Sequence, residues 1–370
     1  MSTGIDFSTF AAADNLVGRN INGWNVIEKL KKSTSPSDTG GHFSICYKVE
    51  KDGKVFFMKV LDYKDAFLGP LKPGQDRATL IAEQFSAFKY EKELSEYCNS
   101  KKVSKVIQFV DSGQIEVTEF PISTVSYIIY EMAQGNIRNF LKYSFGIDFT
   151  MKLKSFAEKL CSLRDVATGL GSLHKNEITH QDLKPSNIMK FDKESKIGDL
   201  GRSLCFDENV HCPYPFVSFH GDWTYAPPEA FFRYYIPDER ERLYQMDNYT
   251  LGGLIVFYLT GVSINALLDK NLPSPIRVLC RSGISFDAAK ALLLDAFQKA
   301  LKEIRDEIPL NSIKENLIHM IEYLCFPIPE KRGHPININP SNRTPNYDLQ
   351  RTITELDVMY KKAKFEISRL

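Results

Sequence analysis

The sequence predicts an α+β protein built in two lobes, a small antiparallel β lobe carrying one helix and a larger, mostly helical lobe. Three observations carry this. Between residues 24 and 63 lie three β-rich runs, WNVIEKL, FSICYKVE and KVFFMKVLDY. The polar stretch KKSTSPSDTGG at 31–41 separates the first two, and an Asp52-Gly53 turn, a hairpin signal, joins the last two. Next, one helical pattern at 79–100 is followed by two more strand runs, KVIQFVDSG at 105–113 and VSYIIYEM at 125–132. From 133 onward the period changes to that of amphipathic helices, at 156–176, 250–261, 287–308 and 312–326. A Pro/Asn-rich connector, HPININPSNRTPN, precedes a last helix at 347–367. The organisation expected is an N-terminal extension at 1–21, a small lobe at 22–132, a large lobe at 133–336, and a connector with its helix at 337–370.

Composition supports a chain with a large core and narrows the function classes. The 370 residues include 25 Phe, 17 Tyr and 2 Trp, too much apolar surface for a disordered chain. Lys+Arg is 47 against Asp+Glu 46, a net charge of +1, which argues against a global field for nucleic acid or a membrane surface. Seven scattered cysteines form no C-x-x-C pair, so reduced thiols are expected in place of a disulfide framework or a zinc ribbon. Residues 1–16 lack the basic-then-apolar order of a secretory signal, and the longest apolar run, 251–261, is shorter than a spanning helix needs. The expectation is a cytoplasmic protein with no nucleic-acid or membrane partner, its oligomeric state left open.

The sharpest chemical signal is THQDLKPSNIM at 179–189, which holds His180, Asp182, Lys184 and Asn187 as H-x-D-x-K-x-x-N. An Asp beside a hydroxyl accepts its proton. A Lys two residues on neutralises a transferring phosphoryl group, and an Asn five residues on binds a metal that bridges phosphates. A second signal, KIGDLGRS at 196–203, puts Asp199 seventeen residues after Asp182. A carboxylate at such a turn can bind Mg²⁺, with Gly201 freeing the backbone beyond it, although Asp-Leu-Gly alone reads as a simple turn and gains weight from its distance to Asp182.

With these residues in order, the chain resembles the eukaryotic-type protein kinase superfamily, in its serine/threonine branch, over about residues 22–336, and is similar to compact bacterial kinases of that branch. The resemblance implies a two-lobed protein kinase fold, ATP and Mg²⁺ as cofactors, and protein Ser/Thr hydroxyls as acceptors. It implies Asp182 as base, Lys184 as γ-phosphate contact, and Asn187 and Asp199 as metal ligands. Lys59 takes the strand-lysine position that contacts the α- and β-phosphates, and Glu91 is its helix partner, with Glu93 two residues away as the competing register. Glu131, Met132 and Ala133 form the hinge whose backbone meets adenine, with Tyr130 as gatekeeper behind it. Pro228 and Glu229 in GDWTYAPPEA, Asp247 in MDNYTLGG and Arg332 in PEKRGHP resemble architectural positions. In these, Asp247 anchors the catalytic loop and Arg332 pairs with Glu229. His180 reads as structural.

Several positions depart from the family pattern. Thr39, Gly41 and Ser44 stand in the three glycine positions of the nucleotide-covering loop, with Gly40 beside them, so only the central glycine survives. Backbone N–H groups of Thr39–Ser44 and the Ser44 hydroxyl remain as phosphate donors. Gln181 replaces the Arg of H-R-D, a neutral side chain that cannot form a bidentate ion pair with an activation-segment phosphate. Asp222 stands where that segment usually has Thr, and either pairs with Lys184 or repels Asp182. Cys205, His211, Cys212 and His220 share the segment without a common zinc spacing. The alternatives to an active kinase are a nucleotide-dependent binding module (a pseudokinase) and, below it, a small-molecule phosphotransferase.

Overall fold

The computed structural model describes every residue except 1–9, 31–43, 70, 72, 142–148, 217–218, 340, 342–343 and 370. Thr39, Gly40 and Gly41 therefore lie outside the described residues. The chain divides into two compact units. One holds the residues up to Lys102 with Ile107–Gln134 and Asn209–Pro213; the other holds Val103–Val106, Gly135–Glu208 and the residues from Tyr214 onward.

The first unit is an antiparallel sheet with a helix. Its elements are β1 (Asn20–Ile21), β2 (Trp24–Lys29), β3 (Ser44–Lys51), β4 (Lys54–Leu61), α1 (Lys64–Leu68), α2 (Arg77–Ser100), β5 (Phe109–Glu116) and β6 (Thr124–Glu131). The sheet order is β1-β2-β3-β4-β6-β5. Asp52 and Gly53 both have positive φ, +52° and +71°, the geometry a two-residue hairpin demands between paired Lys51 and Lys54. Two clusters of buried side chains surround the sheet. Trp24, Tyr47, Val49, Met58, Val60, Val125, Tyr127 and Ile129 fill one, and Leu61, Phe88, Ile128 and Tyr130 join in the other, to which α2 contributes Phe88. α2 opens on an N-cap: Asp76 accepts from the Thr79 N–H at 2.9 Å.

Two expectations for this unit change. Residues 10–21 are part of its core, because Ala12, Ala13, Leu16 and Ile21 are buried with the sheet and the Tyr47 hydroxyl donates to the Ala13 carbonyl at 2.6 Å. The strand expected at 105–113 starts only at Phe109. Lys102 and Lys105 adopt positive φ, +52° and +56°, which breaks the extended run, and Val103–Val106 go to the second unit, where Val106 bridges Ile197.

The second unit contains β7 (Gly135–Asn136), α3 (Ile137–Leu141), α4 (Phe149–Lys175), β8 (Ile178–Thr179), β9 (Ile188–Lys190), β10 (Ser195–Ile197), β11 (Leu204–Cys205), α5 (Pro228–Phe231), α6 (Glu239–Thr260), α7 (Ile264–Asn271), α8 (Ile276–Arg281), α9 (Phe286–Asp306), α10 (Asn311–Leu324), α11 (Pro335–Ile338) and α12 (Gln350–Ile367). α6 is buried around most of its circumference from Leu243 onward. α10 approaches it closely: a Cβ on Gly252 would meet Cys325 Sγ at 2.5 Å. α12 packs on α4 through buried Leu356, Met359 and Ala363, with Arg164 paired to Asp357 at 3.2 Å. Each fully buried Leu or Met on that face stabilises the docked helix by about 1.5–3 kcal/mol. None of the seven cysteines forms a disulfide. Among the described residues no single helix is long and apolar enough to cross a membrane.

Candidate active site

The second unit assembles its cluster on the loop between β8 and β9. The backbone N–H groups of His180 and Gln181 donate to the Asp247 carboxylate at 2.7 and 2.8 Å, and His174 Nε2 lies 2.9 Å from the same group. A buried carboxylate on a rigid helix thus fixes the start of the loop, where Gln181 takes φ +62°. His180 ties the loop to the turn after β10. The Asp182 N–H donates to Nδ1 at 3.2 Å, so the ring proton sits on Nε2, which donates to the Gly198 carbonyl at 3.1 Å.

Asp182 is held from several directions. Its Oδ1 accepts the Asp222 N–H at 2.8 Å, and its Oδ2 accepts Asn187 Nδ2 at 3.1 Å and faces Lys184 Nζ at 3.0 Å. Lys184 also lies 3.8 Å from Asp222 Oδ2. The two readings of Asp222 are therefore resolved by geometry: Lys184 stands between two carboxylates, so attraction to the ammonium offsets their mutual repulsion. Burial pushes the Tyr225 phenol up to about 12; Arg138 opposes this and the charges of Asp222 and Asp182 add to it.

Asn187 and Asp199 flank the β9–β10 hairpin, in which Ile188 pairs with Ile197. The Gly198 N–H donates to the Asn187 carbonyl at 2.8 Å. Asp199 takes the left-handed conformation, φ +57°, a strain of order 1–3 kcal/mol for a non-glycine residue. Asn187 Nδ2 is engaged with Asp182, and its Oδ1 has the Ser186 hydroxyl 3.4 Å away. An amide oxygen and a carboxylate are hard donors suited to Mg²⁺, an ion that keeps phosphate and water ligands. The donor set fits the metal, and among the described residues no three His, Cys, Asp or Glu side chains form an all-protein cage.

The segment from Asp199 to Glu229 is pinned by side-chain hydrogen bonds to backbone carbonyls. Tyr214 donates to the Gly201 carbonyl at 2.7 Å, Arg242 Nη2 to Phe216 at 2.9 Å, and Asn265 Nδ2 to Ala226 at 2.8 Å. Ser203 is fully buried with its hydroxyl 3.3 Å from the His180 carbonyl, Thr224 is exposed, and Ser218 lies outside the described residues. Gln181 points inward, its Nε2 donating to the Leu243 carbonyl at 3.0 Å. Gly221 escaped notice in the sequence although geometry makes it special. A Cβ there would lie 2.0 Å from the Gln181 carbonyl and 3.0 Å from Asp182 Cα, so only glycine lets the segment run this close to the loop. Behind the segment, Arg332 meets Glu229 through two hydrogen bonds of 2.7 and 2.9 Å.

The first unit holds the other cluster. Lys59 Nζ donates to both oxygens of Glu91, at 2.7 and 2.8 Å. Glu93 instead faces Lys89 at 3.6 Å, so of the two acids Glu91 is the one turned to the sheet. Tyr130, expected only as a gatekeeper, places its hydroxyl 3.2 Å from Glu91 Oε1 and 3.0 Å from Ser95 Oγ. At the end of β6, where the hinge was expected, the Glu131 N–H donates to the Gln108 carbonyl at 3.1 Å and its side chain accepts the Gln108 N–H at 2.7 Å, while Met132 and Ala133 follow half-buried. Ser44 opens β3 with a buried hydroxyl that has no hydrogen-bond partner among the described residues.

Residues 40–336 match the family model described as protein kinase domain. The chain is 26% identical over 198 residues to mitogen-activated protein kinase kinase 8 of Arabidopsis thaliana, covering 51% of this chain and 61% of that protein. It is 38% identical over 79 residues to serine/threonine-protein kinase mos of Gallus gallus, 21% of this chain and 23% of that one. It is 34% identical over 105 residues to calcium and calcium/calmodulin-dependent serine/threonine-protein kinase of Oryza sativa subsp. japonica, 27% of this chain and 18% of that one. The matches thus span less than two thirds of each of these relatives.

Proposed function

Because the chain belongs to the protein kinase family, in its serine/threonine branch, we propose that it is an active enzyme that transfers the γ-phosphate of Mg·ATP to Ser or Thr hydroxyls of proteins. The observation that carries this is the Asp182 carboxylate, held by Asp222 and Asn187 with Lys184 Nζ 3.0 Å away. In this reading Asp182 accepts the proton of the acceptor hydroxyl as its oxygen bonds to the γ-phosphorus. The bond from that phosphorus to the bridging oxygen breaks, and ADP leaves. Lys184 compensates the charge of the transferring group, and Lys59, oriented by Glu91, holds the α- and β-phosphates. Asn187 and Asp199 would hold Mg²⁺, which when bound neutralises phosphate charge.

The pseudokinase alternative rests on the glycine positions taken by Thr39 and Ser44; the retained Lys59, Asp182, Asn187 and Asp199 weigh against it. The Glu229–Arg332 pair favours a protein acceptor over a small molecule. The setting proposed is a reducing, cytoplasmic one, supported by seven cysteines of which none forms a disulfide. The test uses protein stripped by a phosphatase that is then removed, Mg·ATP and a basic model protein. The expected product carries phosphoserine or phosphothreonine, formed without an initial lag because Tyr214, Arg242 and Asn265 hold the segment and Gln181 offers no cation to receive a segment phosphate. Phosphotyrosine as the main product contradicts the acceptor class. A lag abolished in Ser/Thr→Ala variants of the segment contradicts phosphate-independent order.

A further inference from the structure

The geometry points to Tyr130 as a positioning residue that locks α2 against the sheet and holds Glu91 in place independently of Lys59. Tyr130 sits on β6, paired in register with Phe57 of β4, two residues before Lys59. Its ring is buried with Leu61, Phe88 and Ile128 on the face of the sheet that meets α2. The hydroxyl therefore emerges at the end of an apolar ring that cannot move without opening this core. It donates to Glu91 Oε1 at 3.2 Å and lies 3.0 Å from Ser95 Oγ. Ser95 is one helical turn beyond Glu91, and its hydroxyl donates to the Glu91 carbonyl at 2.7 Å.

The proton count explains why this is a lock and not a single contact. Two hydroxyl protons, from Tyr130 and Ser95, serve three contacts: the Glu91 carboxylate, the Glu91 carbonyl, and the Tyr130–Ser95 pair. Whichever way the Ser95 hydroxyl turns, the tyrosine proton retains an acceptor on α2. A hydrogen bond to a charged carboxylate is among the stronger ones. Lys59, by contrast, has a flexible stem and an ammonium that divides its attraction between Glu91 and any bound phosphate. This part rests on the kinase reading proposed above. Tyr130 holds the acid still while the cation is shared, so Glu91 keeps its register in free and nucleotide-bound protein alike.

The experiment is Tyr130→Phe in the full chain, which removes the hydroxyl and keeps the ring. Turnover is expected to fall roughly tenfold while the KM for the acceptor stays within about twofold, the scale of one lost hydrogen bond to a charged group. Without nucleotide, amide hydrogen exchange is expected to quicken in α2 around residues 84–98, with the rest of the first unit and the thermal midpoint unchanged. Ser95→Ala should shift exchange in the same direction by less. Wild-type turnover together with wild-type exchange in α2 overturns the proposal. So does faster exchange spread over the whole unit, which marks Tyr130 as ordinary core. If the wild-type protein transfers no phosphate, the kinase reading fails, and the exchange comparison still decides the role of Tyr130.

Discussion

Two cation–carboxylate pairs, one in each unit, are built in different ways. Arg332 and Glu229 are sealed, with side chains 0% and 4% exposed. The guanidinium gives two parallel bonds to the carboxylate, donates to the carbonyls of Gln245 and Phe326 at 3.2 and 3.1 Å, and lies 4.9 Å from the Tyr249 ring centre. Lys59 and Glu91 are 15% and 6% exposed, with a point-charge ammonium in place of a planar fork. Arginine satisfied on every side has no capacity for another partner. Lysine keeps rotatable donors that another anion can recruit. On the proposed kinase reading, the difference makes the first pair architecture and the second machinery, although both are short and bidentate.

The largest expected effect separates the pairs by what each loses. Lys59→Met should lower turnover by about 10²–10³-fold, the scale of one preorganised electrostatic donor, with a modest change in melting. Arg332→Met should instead remove about 3–5 kcal/mol of stability by leaving Glu229 buried and uncompensated. Urea unfolding followed beside initial rates reads both. A large rate loss with normal stability in Arg332→Met would erase the distinction.

A finer break lies within α2. Glu91→Gln should impair turnover roughly tenfold or more, since it removes the charge that orients Lys59. Glu93→Gln should stay within about twofold, because its pair with Lys89 is solvent-exposed. A worse defect in Glu93→Gln would mean that α2 presents its other face in the working enzyme.

The smallest effect concerns the segment after Asp199. Burial holds His220 below the usual imidazole range, with Arg202 adding to the shift and the Pro215 carbonyl opposing it. The unfolded chain then binds the extra proton more readily than the folded one, so this contribution is present above the ordinary histidine pKa of about 6.5 and is lost as pH falls through it. Limited proteolysis within residues 207–222 should therefore quicken between about pH 7 and pH 5.5, and more weakly in His220→Asn. A pH-independent cleavage rate would show that the ring carries no such load.

What could be read from the sequence depended on whether chemistry or packing dictated a residue. Asp182, Lys184, Asn187, Asp199 and Lys59 stand out in the sequence because the proposed phosphoryl transfer would demand those side chains at those offsets. The Asp52-Gly53 hairpin was legible because both residues need positive φ. Glu91 was preferred to Glu93 on the family resemblance alone, and its pairing with Lys59 depends on the register of a helix against a sheet, which is a tertiary matter. The Tyr130 hydroxyl contacts residues 35 and 39 positions away, beyond any local pattern. Gln181 was read as a missing cation, and its inward turn onto Leu243 depends on a helix whose first turns, ERERLYQ, carry no apolar period. β7, β8 and β11 are two residues long, too short to show alternation.

The most direct test of the account is phosphate transfer from Mg·ATP to protein by the wild-type chain beside Asp182→Ala and Asp199→Ala, each shown folded by its melting curve. The expected result is robust transfer by the wild type, a loss of about 10²–10⁴-fold without the Asp182 base, and a comparable loss without Asp199. Near-normal transfer by either folded variant, or none by the wild type, would contradict it.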